Sequence, residues 1–392
     1  MLNFEFCSPT KFVFGRDTQK KVGELVREAG GTAALVVYGG GSVVRSGLLA
    51  QVLASLDAAG VAHEELGGVK PNPRSDLVYE GIRICREKGI DFLLAVGGGS
   101  AIDTAKAIAD GVPYDGDFWD FYCGKAKVTK ALPHGCVLTI PAAGSEGSNS
   151  SVITKIDGNL KRGLSTEFHR PRFAVMNPEL TFTLPRYQLA CGATDMLAHI
   201  MERYFTNTKD VALTDRMAEA LMLSIVEAAP KALADDHDYE AHATLMWAGM
   251  LAHNNSVGVG REQDWASHCI EHELSALYDC AHGAGLAVIF PAWMQYNMNH
   301  DVMRFAQLAS RVWGCPMDFE HPEITAQQGI QALRQFLRSI GMPLTLREVG
   351  GKEEDIPYLA HTAAYGNGNG GTLGGFVVLK EEDIAGIYRL AL

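Results

Sequence analysis

The sequence predicts two domains of different class: an α/β domain with a mostly parallel sheet over residues 1–184, and an all-helical domain over residues 185–392. Three observations lead to this prediction. A chain of 392 residues is longer than one hydrophobic core usually supports. Before Leu184, short apolar runs alternate with helical spacing, which is typical of βαβ units. After Pro185, long helical segments replace the β-rich runs.

In the first domain, two apolar runs each lead into a glycine turn and a helical stretch. Residues 33–38 precede Gly39-Gly40-Gly41-Ser42, and residues 91–96 precede Gly97-Gly98-Gly99-Ser100. This repeated order favours parallel strands joined by crossover helices. Further strands are predicted at residues 61–66, 136–140, 152–156 and 173–176, and helices at 42–59, 75–88 and 100–109.

The second domain shows helical spacing almost throughout. Helices are predicted at residues 188–205, 212–228, 240–254, 264–277, 285–298, 302–312 and 325–339. The glycine-rich run at residues 366–375 is predicted to be a surface loop.

Composition narrows the class of protein. A net charge of −12, without a basic stripe, argues against nucleic-acid or anionic-membrane partners. The eight cysteines are scattered without a C-x-x-C pair, which fits reduced thiols better than a disulfide framework. The N-terminus lacks the pattern of a signal peptide, and no apolar run is long enough to cross a bilayer. These features predict a cytoplasmic protein.

The second glycine turn is a candidate pyrophosphate site. Residues Gly97, Gly98, Gly99 and Ser100, followed by Asp103, form a strand end, a turn and a helix start. Backbone N–H groups at a helix N-terminus favour an anionic ligand. A tight turn with Ser100 as the helix N-cap is the alternative. Two such turns, each after an apolar strand, favour a nucleotide.

The first turn bears on the choice of cofactor. An acidic residue after this strand would bind the ribose of NAD and repel a 2′-phosphate. Gly39, Gly40, Gly41, Ser42 and Arg45 include no acid. The turn therefore predicts a preference for NADP(H) over NAD(H).

Five polar side chains in apolar helical sequence are candidate metal ligands. Asp195 and His199 are four residues apart, as are His268 and His272, and His282 follows. One carboxylate with three imidazoles suits Fe²⁺ or Zn²⁺. Asp195, His199, His268 and His282 could close around one ion, but spacing alone does not decide which four of the five bind it: His272 could be a ligand in place of His282, or a proton carrier beside the metal.

These residues carry a resemblance to a known family. Residues 265–287 are similar to the signature of the iron-containing (group III) alcohol dehydrogenases, and most similar to their butanol dehydrogenase branch. Residues 97–106, 141–151 and 192–199 support the resemblance, which extends from Phe4 to Tyr388.

The resemblance implies a reversible hydride transfer between a nicotinamide and a small apolar primary alcohol or aldehyde. It assigns the metal to Asp195, His199, His268 and His282 and places His272 near the substrate. It assigns Gly97 to Ser100 to the pyrophosphate and Gly39 to Ser42 to the adenosine ribose. Asn72, Thr139 and Lys161 are assigned to the cofactor cleft. It also implies a homodimer that uses NADH or NADPH.

Two other functions remain as alternatives. One is a lyase similar to the dehydroquinate synthases, and the other is a non-catalytic sensor of aldehydes or nucleotides. The metal-bearing segments are rich in Met, Ala, Trp and Leu, which favours a small apolar substrate over a phosphorylated sugar acid.

Overall fold

The computed structural model describes residues 1–366 and 370–392. The described chain forms two compact units, Cys7–Leu184 and Pro185–Leu392, and Met1–Phe6 packs with the second. The first unit therefore begins at Cys7, whereas the sequence assigned the whole N-terminus to it. Residues 367–369 of the predicted glycine-rich loop lie outside the described residues.

The unit Cys7–Leu184 contains eight strands among its described residues: β1 Lys11–Phe14, β2 Ala33–Gly39, β3 Ala62–Val69, β4 Phe92–Gly97, β5 His134–Leu138, β6 Ser150–Lys155, β7 Leu160–Ser165 and β8 Phe173–Met176. Six of these strands form a parallel sheet with the order β1-β8-β5-β4-β2-β3. Its helices are α1 Val22–Glu28, α2 Ser42–Arg45, α3 Leu48–Ala58, α4 Ser75–Lys88, α5 Gly99–Gly111 and α6 Trp119–Tyr122. The predicted parallel α/β class is confirmed.

The central strands explain why the sheet is parallel. Every residue of β4, β5 and β8 is buried, as expected for strands covered on both faces by crossover helices. Between β2 and β3 the chain moves to one edge of the sheet, and from β4 onward it returns to the other side. The strand order therefore reverses between β2 and β4, which pair directly.

Several elements of this unit differ from the prediction: α1, α6 and β7 were not predicted, and the helix predicted at residues 42–59 is divided into α2 and α3. The strand predicted at residues 152–156 belongs to an antiparallel hairpin of β6 with β7, outside the parallel sheet. The edge strand β1 was not predicted, because its four residues are exposed or half-buried and carry no apolar alternation.

The second unit is mostly helical. Its helices are α7 Arg186–Tyr204, α8 Ala212–Ala234, α9 Tyr239–His253, α10 Ala266–Tyr278, α11 His282–Asn297, α12 Val302–Trp313, α13 Pro322–Ser339, α14 Ile356–Tyr365 and α15 Glu381–Leu390. A short antiparallel pair, β9 Thr372–Leu373 and β10 Leu379–Lys380, corrects the expectation of an all-helical domain.

The core of this unit surrounds α11, which is buried along almost its whole length around Trp293. Helices α14 and α15, which were not predicted, close the core from the C-terminal end. None of the helices among the described residues combines the length and the apolar character that crossing a bilayer requires.

Candidate metal centre and cofactor turns

The candidate metal centre begins on α7. Asp195 and His199 lie one turn apart on this helix, and both side chains are almost fully buried. Burial of a carboxylate and an imidazole is unfavourable unless each has a polar or ionic partner. The two residues therefore mark a site rather than a solvated helix face.

Helices α10 and α11 supply the remaining donors. His268 and His272 lie on α10, and His282 is the first residue of α11. The next residue, Gly283, lies against the backbone of α7: a Cβ atom here would be 2.1 Å from the carbonyl oxygen of Cys191. Only glycine permits this approach, which brings the start of α11 against Cys191, one turn of α7 before Asp195.

The donor atoms converge on one carboxylate oxygen. Asp195 Oδ1 lies 3.3 Å from His199 Nδ1 and 3.7 Å from both His268 Nε2 and His282 Nε2. The donors of Asp195, His268 and His282 all lie within 4.8 Å of one another. His199 is outside this mutual set and adjoins it through Asp195. Among the described residues, Asp195 Oδ1, His199 Nδ1 and His268 Nε2 have no hydrogen-bond partner.

Two glutamates determine which nitrogens face the centre. His268 Nδ1 donates to Glu202 Oε1 at 2.8 Å, and His282 Nδ1 donates to Glu271 Oε2. A carboxylate can only accept, so the proton lies on Nδ1 of each neutral ring. The lone pairs of both Nε2 atoms then face Asp195, an arrangement that is repulsive without a cation between them.

The electrostatics of the cluster favour a divalent cation. Three carboxylates (Asp195, Glu202 and Glu271) contact the imidazoles. On the side of positive charge, the Arg203 guanidinium donates to the backbone carbonyl of His199. Burial would lower the pKa of His268, but without a cation the nearby carboxylates of Asp195 and Glu202 raise it to about 9. The cluster thus attracts positive charge, and its oxygen and nitrogen donors fit Fe²⁺ or Zn²⁺.

The far side of His199 is packed with rings. His253 lies 4.0 Å away between ring centroids, and Trp265 contacts the edge of His199 at 5.9 Å. Burial and the neighbouring His253 hold the pKa of His199 well below its usual range. Arg203 lies over the Trp265 ring at 4.6 Å and donates to His253 Nδ1. The His199 imidazole is therefore a neutral candidate metal ligand, held in place by its neighbouring rings.

His272 lies beside the centre, apart from the mutual donor set of Asp195. Its ring centroid is 5.5 Å from His282 and 6.5 Å from His268. It belongs to a second group of donors with Glu271 and His282. The residue is half-buried, so it can exchange protons with solvent.

In the α/β unit, the two glycine turns follow the two strands that flank the reversal of strand order. Tyr38 of β2 pairs with Val96 of β4, so Gly39 and Gly97 end neighbouring strands. Ligands of open parallel sheets bind at the carboxyl ends of strands at such a switch point. The predicted turns therefore occupy the expected position for a dinucleotide.

The second turn is a helix start without a side-chain cap. Gly98 is the N-cap of α5, and no side chain caps the helix. This corrects the alternative in which Ser100 is the N-cap. Thr139, directly after β5, donates its backbone N–H to the carbonyl of Gly97 at 3.0 Å. The uncapped first turn leaves room for an anionic ligand.

Two of the other predicted cofactor residues, Asn72 and Lys161, contact each other. Lys161 Nζ donates to Asn72 Oδ1 at 3.0 Å, which brings these two residues together. Ser42 and Arg45 lie in the short helix α2 that follows the first turn. On the neighbouring strand β3, Glu65 accepts a hydrogen bond from the hydroxyl of Tyr38, so an acid does lie near this turn.

Asp103 differs from the other predicted cofactor residues. Its Oδ1 accepts from the Ser145 hydroxyl at 2.6 Å, and its Oδ2 accepts from the backbone N–H of Val152 at 2.9 Å. Each oxygen therefore accepts a hydrogen bond from the chain itself. By this geometry Asp103 holds residues 145–152 beside the second glycine turn.

Lys106 was not predicted from the sequence, although it is the last residue of the segment 97–106 that supports the family resemblance. Its side chain is fully buried, and Nζ donates at 2.8 Å to the carbonyl and hydroxyl oxygens of Ser145 and to the carbonyl of Ser150. Burial lowers its pKa to about 8, against the opposing effect of Asp103. A lysine three residues after an acid in an apolar helix was the available signal.

Comparisons with known proteins find family models that match each of the two units. Residues 9–178 match the family model described as iron-containing alcohol dehydrogenase. Residues 189–392 match the model of the C-terminal domain of the Fe-containing alcohol dehydrogenase family. The two models together span nearly the whole chain.

Full-length relatives are similar to this chain. The NADH-dependent butanol dehydrogenase A of Clostridium acetobutylicum is 40% identical over 390 residues, 99% of each chain. The NADPH-dependent aldehyde reductase YqhD of Escherichia coli is 36% identical over 92% of each chain. The crystal structure of NADH-dependent butanol dehydrogenase A from Thermotoga maritima superposes with a TM-score of 0.97 at 39% identity, covering 100% of this chain and 99% of that one. The chain belongs to the iron-containing alcohol dehydrogenase family.

Proposed function

We propose that the protein catalyses reversible hydride transfer between a nicotinamide dinucleotide and a small apolar primary alcohol or its aldehyde, such as butanol and butyraldehyde. The observation that carries this proposal is the convergence of His199, His268 and His282 on one buried oxygen of Asp195. The glycine turns at the switch point of the sheet supply the second requirement, a dinucleotide site.

Asp195, His199, His268 and His282 would hold one divalent ion, Fe²⁺ or Zn²⁺. Such an ion supplies Lewis-acid polarisation of the substrate oxygen, worth several kcal/mol in the transition state. The protein's own contribution is to hold the four donors in fixed orientations. Asp195 and His268 are about 95% buried, which keeps water from competing for them.

His272 is the proposed proton carrier. Its half-buried imidazole lies beside His282, so it can pass the hydroxyl proton of the substrate to solvent in one direction and return it in the other. General acid–base help of this kind contributes about 10²–10⁴-fold in rate.

The α/β unit would bind the cofactor. The second glycine turn (Gly97, Gly98, Gly99 and Ser100) is proposed to bind the pyrophosphate, and the first glycine turn (Gly39, Gly40, Gly41 and Ser42) the adenosine ribose. Thr139 and the pair Asn72–Lys161 are proposed to position the remainder. Asp103 acts on this site indirectly, through the segment that it holds.

The preference for NADP(H) remains part of the proposal. Arg45 favours a 2′-phosphate, because its Nη1 lies near the first turn, 3.2 Å from the position of a Cβ atom at Gly41. Glu65 opposes it, because its carboxylate lies 3.1 Å from the Tyr38 hydroxyl at the end of β2. The relatives include both NADH-dependent and NADPH-dependent enzymes by name.

A pair of variants measures this balance. Arg45→Gln should lower the ratio of kcat/KM for NADPH to that for NADH, and Glu65→Gln should raise it, each by about tenfold or 1.4 kcal/mol. An unchanged ratio in both variants would contradict a role for this turn in cofactor choice.

The overall activity is tested by following NADPH and NADH absorbance at 340 nm with butyraldehyde, with and without a chelator, beside elemental analysis. We expect oxidation of the cofactor that the chelator abolishes. Failure of every short aldehyde in metal-replete protein would favour the sensor. Turnover of a phosphorylated sugar acid without net cofactor oxidation would favour the lyase.

Assembly and location are also proposals. A homodimer is suggested by the family resemblance and is tested by light scattering at micromolar concentration. A cytoplasmic location agrees with the eight cysteines, all of which are free thiols. It is tested by cell fractionation.

A further inference from the structure

Glu202 makes two bonds to one metal-donor residue. Its Oε1 accepts from the backbone N–H of His268 at 2.9 Å and from His268 Nδ1 at 2.8 Å. The side chain is only 1% exposed. The same oxygen therefore fixes both the start of α10 and the rotation of the imidazole ring.

Glu271, on α10, holds a different metal-donor residue, His282. Its Oε2 accepts from His282 Nδ1, and the glutamate side chain is fully buried, whereas that of His282 is 25% exposed. Gly285 makes the contact possible: a Cβ atom at this position would lie 2.5 Å from Glu271 Oε1. The glycine lets α10 and α11 approach closely enough for the carboxylate to reach the ring.

His199 is held in another way. Its Nδ1 faces Asp195, and its ring packs against His253 and Trp265. Of the three imidazoles in the proposed ligand set, two thus donate to a dedicated carboxylate and one is held by packing. The two carboxylates also add negative charge behind the rings, which increases the basicity of Nε2.

We propose that Glu202 and Glu271 are positioning residues that divide the control of the metal: Glu202 sets the affinity through the buried donor His268, and Glu271 slows metal loss by holding the exposed donor His282. The proposal rests on the metal site of the proposed function. The difference follows from exposure, because His282 is the donor that solvent can reach and the first that could rotate away.

The test compares Gln and Ala at both positions. Gln keeps an oxygen that can accept from Nδ1 but removes the charge, whereas Ala removes both. Zn²⁺ affinity is measured by competition with a chromophoric chelator, and the rate of loss by transfer of bound Zn²⁺ to excess chelator. The visible spectrum of Co²⁺-loaded protein reports the geometry of the donors without any turnover.

We expect Glu202→Ala to weaken Zn²⁺ binding by about 10–100-fold, as removal of such partners typically does. Glu271→Ala should increase the rate of Zn²⁺ loss by a similar factor and broaden the Co²⁺ spectrum. The Gln variants should show smaller effects of the same kind. Gly285→Ala, which displaces Glu271 without removing it, should resemble Glu271→Ala.

Glu219→Gln is the matched control. This buried glutamate in the same unit accepts from the Tyr204 hydroxyl at 2.7 Å and from Gln307 and Arg311, away from the metal donors. It should leave Zn²⁺ affinity and loss within twofold of the parent protein. Circular dichroism and unfolding of each metal-free variant separate folding defects from metal effects, and the Gln variants serve where an Ala variant does not fold.

The outcomes are distinguishable. If the parent protein binds no metal, the proposed function fails. If the parent binds Zn²⁺ and all Glu202 and Glu271 variants match it within twofold, this inference fails while the proposed function stands. If Glu219→Gln changes Zn²⁺ binding as much as the Glu202 and Glu271 variants do, the effects are general and the inference fails as well.

Discussion

Two buried polar clusters, one in each unit, differ in how their charged groups are partnered. In the α/β unit, Lys106 donates to several oxygens of residues 145–150, and both oxygens of Asp103 are occupied. In the helical unit, Asp195 Oδ1, His199 Nδ1 and His268 Nε2 converge, yet have no hydrogen-bond partner among the described residues. The first arrangement is complete within the chain, and the second is not.

This difference separates structural from ligand-binding polar groups. A buried donor or acceptor whose capacity is used by the chain has none left for a ligand. A set of buried acceptors that face one another is unfavourable until a cation joins them. By this reasoning we expect Asp103 to be a structural residue near the proposed cofactor site and Asp195 to belong to the proposed metal site itself.

The largest expected effect is that of Asp195→Ala on catalysis. The variant removes the oxygen at which the imidazoles converge, so metal binding should be lost and kcat should fall by about 10³-fold or more. Elemental analysis and the 340 nm assay check this. Circular dichroism of the metal-free protein checks that the variant folds. A folded variant that retained the metal would make Asp195 a structural residue and contradict this difference between the two clusters.

Lys106→Met should show the opposite pattern. The change leaves Asp103 and the oxygens of Ser145 and Ser150 without their cation, so the unfolding free energy should fall by about 3–5 kcal/mol. Metal content should be unchanged. Urea unfolding measures the loss, and Lys125→Met at an exposed position is the control, expected within about 0.5 kcal/mol. A loss below about 1 kcal/mol for Lys106→Met would contradict a structural network.

Glu146 is a third case, a buried acid of the α/β unit whose Oε1 has no hydrogen-bond partner among the described residues. Burial raises its pKa from 4.5 to about 7. The folded pKa exceeds the unfolded one, so the stability from the bound proton is full below about pH 4.5 and is lost as the pH rises through 7.

Between pH 5 and pH 8, the unfolding free energy of the parent protein should therefore decrease relative to that of Glu146→Gln, by roughly 3 kcal/mol at most. Urea unfolding at both pH values measures the difference. Catalysis should be unaffected, since Glu146 belongs to no group of converging metal donors among the described residues. A pH-independent difference would show that this carboxyl is ionised throughout.

Local spacing was enough to propose the candidate donors and turns. Asp195 and His199 are four residues apart in one helix, and the glycine turns directly follow apolar strands. In each case a short segment of chain contains the signal. The alternation of strands and helices likewise predicted the parallel sheet.

Partners distant in sequence were not predictable in this way. Glu202 lies on the same face of α7 as His199, three residues on, but its partner His268 is 66 residues away. Lys106 bonds to residues 39 to 44 positions later. Such pairs depend on how helices and loops pack, and a sequence pattern of period 3.6 contains no information on that packing.

The smallest expected effect concerns His272, the histidine that spacing left open. His272→Ala should retain the metal, because its ring lies outside the mutual donor set of Asp195, His268 and His282. Loss of the proton carrier should lower kcat by about 10²-fold, or 2.7 kcal/mol. His282→Ala is the matched variant and should lose the metal, as judged by elemental analysis. If His272→Ala lost the metal and His282→Ala kept it, His272 would be the ligand. The Nε2 lone pair of His282 that faces Asp195 would then not bind the metal.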